Sequence, residues 1–522
     1  MTMRQLVCAG LAVLVAGSAE AGEIRFEDAS GALPVAHVYS GGWEHFVGGG
    51  VATFDCNGDA LPEMYVAGGT EPARLFVNRT SAPGGPLSFA IGDGAPELTG
   101  VTGAYPLDLD GDGLLDLAVL RVGPNVLLRG EGDCRFTDVT EAFGFEGGDR
   151  WSTAFSATWE PGQTRPTLAV GNYVDRTDPE GPFEACDVNE LHRPEGEGYG
   201  APILLEPGFC ALSMLFSDWM RDGRQDLRVS NDRHYYVRGG SEQMWRMGEA
   251  PRLLGPEDGW KNISIWGMGI ASRDLNGDGR PDLVLTSMAD QLTLLSEGRS
   301  GYAQAPFEIG TFAQRPHLGD DGRPSTGWTA QFGDVNNDGR DDLFIAKGNV
   351  DQMPTNAIND PNNLLIQGED GTFDEVSIEA GVATVDRSRG AVLADFDGDG
   401  RLDLAVVNRR APMELYRNAS EPTGNWLAVA PRQAGGNSMA VGAWVELRRA
   451  DGTVVAREIT VGGYHVSGRG LPEHFGLGSA ESAELRVIWP DGTASDWCEV
   501  AANRVVEVVR REGADVEIHV LR

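Results

Sequence analysis

A spacing of oxygen-bearing side chains that recurs five times constrains this chain more than any other feature. Asp55, Asn57, Asp59 and Glu63 form the first copy, and Asp108, Asp110, Asp112 and Asp116 the second. The others are Asp274, Asn276, Asp278 and Asp282; Asp334, Asn336, Asp338 and Asp342; and Asp395, Asp397, Asp399 and Asp403. Oxygens thus fall at positions one, three, five and nine. A hard cation such as Ca2+ takes about six to eight oxygens, and alternate residues of a tight loop aim theirs inward while position seven offers a backbone carbonyl. Position seven is Leu61, Leu114, Arg280, Arg340 and Arg401. An EF-hand shares the opening of this pattern but needs a bidentate Glu at position twelve of a helix-flanked loop. Here position twelve is Val66, Val119, Leu285, Ile345 and Val406, and an apolar run follows the last acid, so each loop leads into a buried strand. The expectation is about five structural Ca2+ ions, because the carboxylates crowded into these loops repel one another without a cation.

Two further stretches align by the strand that follows them. Asp218, Asp222 and Asp226 keep three acids but put Met220 at position three and add Arg221 and Arg224, which makes a cation there doubtful; the loop Trp159 to Thr167 has lost the acids at positions one, three, five and nine. Position one then falls at residues 55, 108, 159, 218, 274, 334 and 395, in steps of 53, 51, 59, 56, 60 and 61. Seven repeats of that length predict a seven-bladed β-propeller with four strands per blade. A β-helix or open solenoid has much shorter repeats. Repeats end on a Phe followed by an acid, as at Phe136-Thr-Asp138 and Phe373-Asp374, but the last repeat lacks this tail. Ile24-Arg-Phe26-Glu-Asp28 supplies it, so the N-terminal strand is expected to complete the seventh blade and leave no open sheet edge.

Residues 1–21 have the make-up of a cleavable signal peptide, with an early Arg, an apolar run from Leu6 to Ala16 and the small-residue end Ala19-Glu-Ala21. No segment approaches the roughly 20 apolar residues of a membrane span. The mature chain is expected to be exported, either secreted or periplasmic. An oxidising compartment turns attention to Cys56, Cys134, Cys186, Cys210 and Cys498. Cys186 and Cys210, flanking a Pro/Gly-rich stretch, are the first expected disulfide and Cys56 with Cys134 the second; spacing alone does not fix the pairing. With 42 basic against 78 acidic residues and a formal charge of −36, neither nucleic acid nor an anionic membrane suits this chain as a partner.

Asn418 to Asn425 is turn-rich, and no acidic loop recurs beyond it. The expected organisation is a propeller over 22–418, a linker over 419–425 and a small β-sandwich or barrel over 426–522, read from alternating stretches such as Trp444-Val-Glu-Leu and Leu485-Arg-Val-Ile-Trp489. Gly48-Gly-Gly-Val-Ala, the five acidic loops, Asn437 to Ala443, Gly462-Gly-Tyr464, His474-Phe-Gly-Leu-Gly478 and Trp489-Pro-Asp-Gly492 together resemble the cartilage acidic protein-like family, with FG-GAP/VCBS-type repeats and a C-terminal ASPIC/UnbV domain. The resemblance implies a secreted calcium-binding propeller, associated in animals with extracellular matrix, and no established catalytic mechanism. Ser438 departs from it, since a basic residue usually follows that Asn.

No H-E-x-x-H, nucleophile elbow or phosphate-binding loop occurs. His474, in a glycine-flanked turn, reads as a structural hydrogen-bonding residue. Tryptophans such as Trp43, Trp151, Trp266 and Trp328 are expected to fill cores between blades. The stretch Asn172 to Trp245, with Asn231-Asp-Arg-His-Tyr-Tyr236, reads as an insertion stapled by Cys186 and Cys210, and long loops on a rigid scaffold are where ligands dock. The favoured expectation is therefore a binding or structural module for an extracellular protein or glycan, with no catalytic residues named; the alternative is a calcium-dependent enzyme on polysaccharide or a similar secreted substrate.

Overall fold

The computed structural model describes residues 23–232, 240–319, 322–449, 451–511 and 515–522. The expected signal peptide, and residues 233–236 of the aromatic run, lie outside the described residues. Seven four-stranded antiparallel units follow one another. The first comprises Val51–Phe54, Glu63–Val66, Arg74–Asn78 and Phe89–Gly92, and the second Val101–Leu107, Asp116–Gly123, Val126–Gly130 and Phe136–Asp138. The third, Arg150–Thr158, Thr167–Asn172, Asn189–His192 and Ile203–Leu205, is joined to the second where Arg150 and Trp151 pair with Gly123 and Val122. Units four to seven begin with the innermost strands Ala211–Ser217, Gly267–Arg273, Gly327–Gly333 and Ser388–Ala394. Each innermost strand neighbours the next, and the seventh returns to the first, so the units form the blades of a closed ring. Phe26–Asp28 pairs with Glu414–Asn418 as the outer strand of the seventh blade, so the ring closes by the N-terminal strand expected from its Phe-acid tail.

The residues that build these sheets explain their burial. The strand after each acidic loop is largely apolar between its ends, as in Asp342–Lys347 and Asp403–Asn408, and is buried on both faces because neighbouring blades pack against it. Beyond the ring, Asn425–Arg432, Glu473–Gly478, Arg504–Arg510 and Val516–Val520 form one sheet, and Trp444–Arg448, Val454–Glu458, Ser482–Ile488 and Cys498–Ala501 another. They close on a core of Leu427, Val445, Phe475, Leu485 and Trp489, a two-sheet sandwich.

Residues 459–472 leave this sandwich and enter the ring. Gly468–Gly470 adds a parallel strand to Val51–Phe54, Ser467 bridges to Ala104, Val461 to Ala157 and Gly462 to Leu215. The Tyr464 N–H donates to the Ile270 carbonyl at 2.9 Å and the Thr329 hydroxyl to the His465 carbonyl at 3.1 Å. A Cβ on Gly390 would stand 2.7 Å from the Ser467 hydroxyl. All seven innermost strands are thereby touched, so this segment fills the axial channel. A Cβ on Gly50 would lie 1.8 Å from the Val466 carbonyl oxygen, and on Gly103 2.1 Å; only glycine lets the plug seat there.

His465, fully buried in the plug, donates from Nδ1 to the Leu212 carbonyl (3.1 Å) and accepts at Nε2 from the Gly48 N–H (3.2 Å). This is the arrangement of a neutral ring. Burial, with the Arg389 charge nearby, pushes its pKa down to about 3 despite the bond to Leu212. A folded pKa below the unfolded value contributes stability that is complete above about pH 6.5 and is lost as pH falls towards 3. Urea unfolding is therefore expected to show about 2 kcal/mol less stability at pH 5 than at pH 7 from this group; His465→Gln should flatten that part of the profile, and an unchanged slope would contradict the assignment.

Tryptophan placement differs from expectation. Trp151 and Trp328 do not separate blades; with Trp266, Met268 and Met288 they share one cluster, and Trp43 packs edge-on to Trp151 at 5.1 Å. Trp43, Trp151, Trp266, Met268 and Trp328 precede innermost strands or sit at their starts, and Met288 follows a second strand, which places the cluster at the channel mouth opposite the acidic loops.

Candidate metal centres beneath the C-terminal domain

Each acidic loop connects the innermost strand of a blade to the next, so all five lie on one face of the ring. Their local geometry follows from one turn. The position-one Asp accepts backbone N–H groups from positions four to six: Asp108 from Gly111 (2.8 Å) and Gly113 (2.9 Å), Asp274 from Gly277 (2.9 Å) and Gly279 (2.8 Å), and Asp55 from Gly58 (2.7 Å) and Ala60 (2.9 Å). Asp334 and Asp395 hold Gly339 (2.7 Å) and Gly400 (3.0 Å) in the same way. Positions four and six have positive φ, which accounts for the glycines there; Asn337 and Ala60 are the two exceptions, at 59° and 63°.

The position-nine acid ties three segments together. One oxygen accepts the N–H of position two, as Glu63 does from Cys56 (2.9 Å), Asp116 from Leu109 (2.6 Å), Asp282 from Leu275 (2.9 Å), Asp342 from Val335 (2.9 Å) and Asp403 from Phe396 (2.9 Å). In four loops the other oxygen accepts an N–H at the end of the third strand, from Gly130, Ser296, Gln367 or Asn418. All five position-nine acids are buried. Burial, reinforced by neighbouring loop acids, pushes Glu63 and Asp116 up to about 8 and Asp282 to about 6 against these N–H bonds, and raises Asp342 and Asp403 well above the usual carboxylate range.

The donor sets fit a hard cation. In the second blade Asp108, Asp110 and Asp116 bring carboxylate oxygens within 4.8 Å of one another, and in the seventh Asp395, Asp397 and Asp399 do so. Loops one, five and six put Asn57, Asn276 and Asn336 at position three, a neutral oxygen of the same hardness. Asp59, Asp112, Asp278, Asp338 and Asp399 at position five each accept the position-seven N–H (2.8–2.9 Å). The N–H groups of Leu61, Leu114, Arg280, Arg340 and Arg401 are thus fixed. The side chains of Arg280, Arg340 and Arg401 turn back onto the position-five acids. Cys56, Glu63 and Cys134 also converge, but the two sulfurs are joined in a disulfide and offer no thiolate.

The Asp218 loop keeps the turn, and in both degenerate loops an arginine lies against an acid. Asp218 still accepts from Asp222 and Gly223, but Arg224 and Arg246 lie against Asp226 at 3.3 Å, and the Trp219 indole N–H donates to it. In the third blade Arg193 pairs with Glu160 at 2.7 Å. Sequence reading missed this replacement because Glu160 and Arg193 follow no spacing rule.

The sandwich sits on the acidic loops. Ser438 donates its hydroxyl to Asp108 Oδ2, Arg522 reaches Asp395 (2.6 Å) and the Ala60 carbonyl (3.1 Å), and Arg449 donates to the Gly339 carbonyl. His474 Nε2 donates to the Gly400 carbonyl at 3.0 Å, the structural role expected of it. Buried Asp341 pairs with Arg457 (2.7 Å) and Arg273 (3.3 Å), and Glu473 with Arg469 (2.8 Å) and Arg273 (3.5 Å), forming an ionic knot across the interface. Disulfides join Cys186 to Cys210 and Cys56 to Cys134, and Cys498 is free; both pairings match the sequence expectation and belong to an oxidising compartment. No helix among the described residues is long and apolar enough to cross a membrane.

Known proteins share these features. The FG-GAP-like repeat model matches residues 55–119, 274–345 and 334–406, and the ASPIC and UnbV model matches 433–515. Cartilage acidic protein 1 of Mus musculus is 28% identical over 258 residues, 48% of this chain and 38% of that protein. Cartilage acidic protein 1 of Xenopus tropicalis is 36% identical over 109 residues, 20% of this chain and 17% of that protein. The matches thus span well under half the length of these relatives. Among solved structures, BBS1N in complex with ARL6DN is similar at 11% identity and a TM-score of 0.41, covering 75% of this chain and 96% of that one. With FG-GAP-like repeats over its acidic loops and an ASPIC and UnbV domain in the sandwich that closes over them, the chain has the two domain types matched by these family models and is similar to cartilage acidic protein 1.

Proposed function

We propose that this protein is an exported, calcium-loaded propeller that acts as an extracellular binding module for a protein or glycan ligand. One observation carries the reading: five loops with oxygen-bearing side chains at the same positions adopt one turn on one face, and their acids are held by backbone N–H groups. Such a set serves to rigidify a ring. Asp55, Asp108, Asp274, Asp334 and Asp395, with their partners at positions three, five and nine, would hold the ions, whose charge offsets that of the buried carboxylates.

The sandwich covers the loop face and plugs the channel, so the ligand is expected at the opposite mouth. There a recess of 390 Å³ is lined by Trp43, Phe46, Met288, Trp328 and Met353, and Trp43 is 38% exposed. Rigid aromatic anchors of this kind dominate recognition surfaces. Arrays of glycans and extracellular-matrix proteins, probed with the full mature chain in calcium, should give a ligand whose binding weakens at least tenfold in Trp43→Ala and on chelation. Turnover of an arrayed polysaccharide, or a ligand indifferent to both changes, would contradict the reading.

A further inference from the structure

The sandwich meets two cation loops with opposite chemistry. At the seventh blade each of the first three acids carries a guanidinium: Arg522 on Asp395 (2.6 Å), Arg417 on Asp397 (2.6 Å), and Arg401 with Arg417 (3.4 Å) on Asp399. At the second blade the described residues place no ion pair on Asp108, Asp110, Asp112 or Asp116. The sandwich contributes a hydroxyl there instead, Ser438 to Asp108 Oδ2, and its backbone comes close enough that a Cβ on Gly111 would lie 2.8 Å from Gly436 Cα. Asp108 is buried, and its two oxygens also take the Gly111 and Gly113 N–H groups.

We infer that Ser438 completes the second-blade cation site from the C-terminal domain, so that the ion bound there bridges the two domains, whereas Arg522 supplies the bridging charge at the seventh blade and makes that loop the weakest cation site. The inference rests on the calcium reading above. A neutral oxygen against four unpaired carboxylates adds a donor without adding charge, the condition for a cation to bind; a guanidinium adds the charge itself. The same chain shows that arginine can stand in for a cation, since Arg193 on Glu160 and Arg224 with Arg246 on Asp226 occupy the loops that have lost the motif. Cation binding in the second blade and docking of the sandwich are therefore linked, each favouring the other.

The test is calorimetric titration of calcium into the chelator-stripped full mature chain, with hydrogen exchange of residues 459–472 as a readout of docking. Ser438→Ala should weaken one site at least tenfold and raise exchange of the plug at low calcium, while Ser438→Thr, which keeps the hydroxyl, should titrate like wild type. Ser438→Lys should bind one ion fewer yet keep the plug protected without calcium. Arg522→Gln should tighten the weakest site. Wild-type titrations in Ser438→Ala and Ser438→Lys would overturn this inference alone; a wild-type chain that takes up no calcium would overturn the calcium reading and this inference with it.

Discussion

Chelation of calcium is expected to lower the melting temperature of the purified chain by on the order of 10–20 °C. Buried acids are the cause. Glu63, Asp116 and Asp334 are pushed up to about 8 by burial, with other loop carboxylates adding to it, and a cation removes that penalty where it binds. An ion held at a thousandfold excess over its Kd stabilises the native state by about 4 kcal/mol, and several such sites act on one ring. The loss should be cooperative, because in four of the five loops the position-nine acid pins the innermost, second and third strands of its blade through the N–H bonds described above. Differential scanning calorimetry in calcium and in chelator would measure it, and superimposable scans would count against a structural role for the metal.

Asp341→Ala is expected to cost about 3–5 kcal/mol, the effect of removing one partner from a buried ion pair. Asp341 neutralises Arg457 and Arg273 between propeller and sandwich, and both guanidiniums are at most 13% exposed. Burial opposes ionisation of Asp341, yet Arg457 and Arg273 hold it below the usual carboxylate range. Without it, Arg457 loses its carboxylate partner at 2.7 Å, and Glu473 is left to pair with Arg273 and Arg469. The sandwich should loosen first and expose the plug between 459 and 472 to protease while the ring stays folded. Pairing the change with Arg457→Met should restore part of the loss, since the unpaired charge is then gone; strict additivity of the two would show that they do not interact.

Much of this architecture is written locally. The acidic loop announces itself because a cation cradle needs oxygens at alternate residues and glycine at positions four and six, and both requirements fall within nine residues. The N-terminal strand was legible because Phe26-Glu-Asp28 repeats a tail that the last blade lacks. Interdomain chemistry was not legible in the same way. Ser438 and Asp108 are separated by 330 residues, and nothing local marks a serine as the partner of a distant aspartate. Gly462-Gly-Tyr464 carried a family resemblance without revealing that the segment threads the channel, because its partners are spread over seven strands. The tryptophans misled because aromatic residues near strand starts suit an inter-blade core and a channel mouth equally well.

Metal content of the purified mature protein, by mass spectrometry after exchange into metal-free buffer, bears most directly on the account. About five calcium ions per chain, with the seventh-blade site the first to empty on dilution, are the expected result. A stable metal-free chain, or one holding a single transition metal, would contradict it.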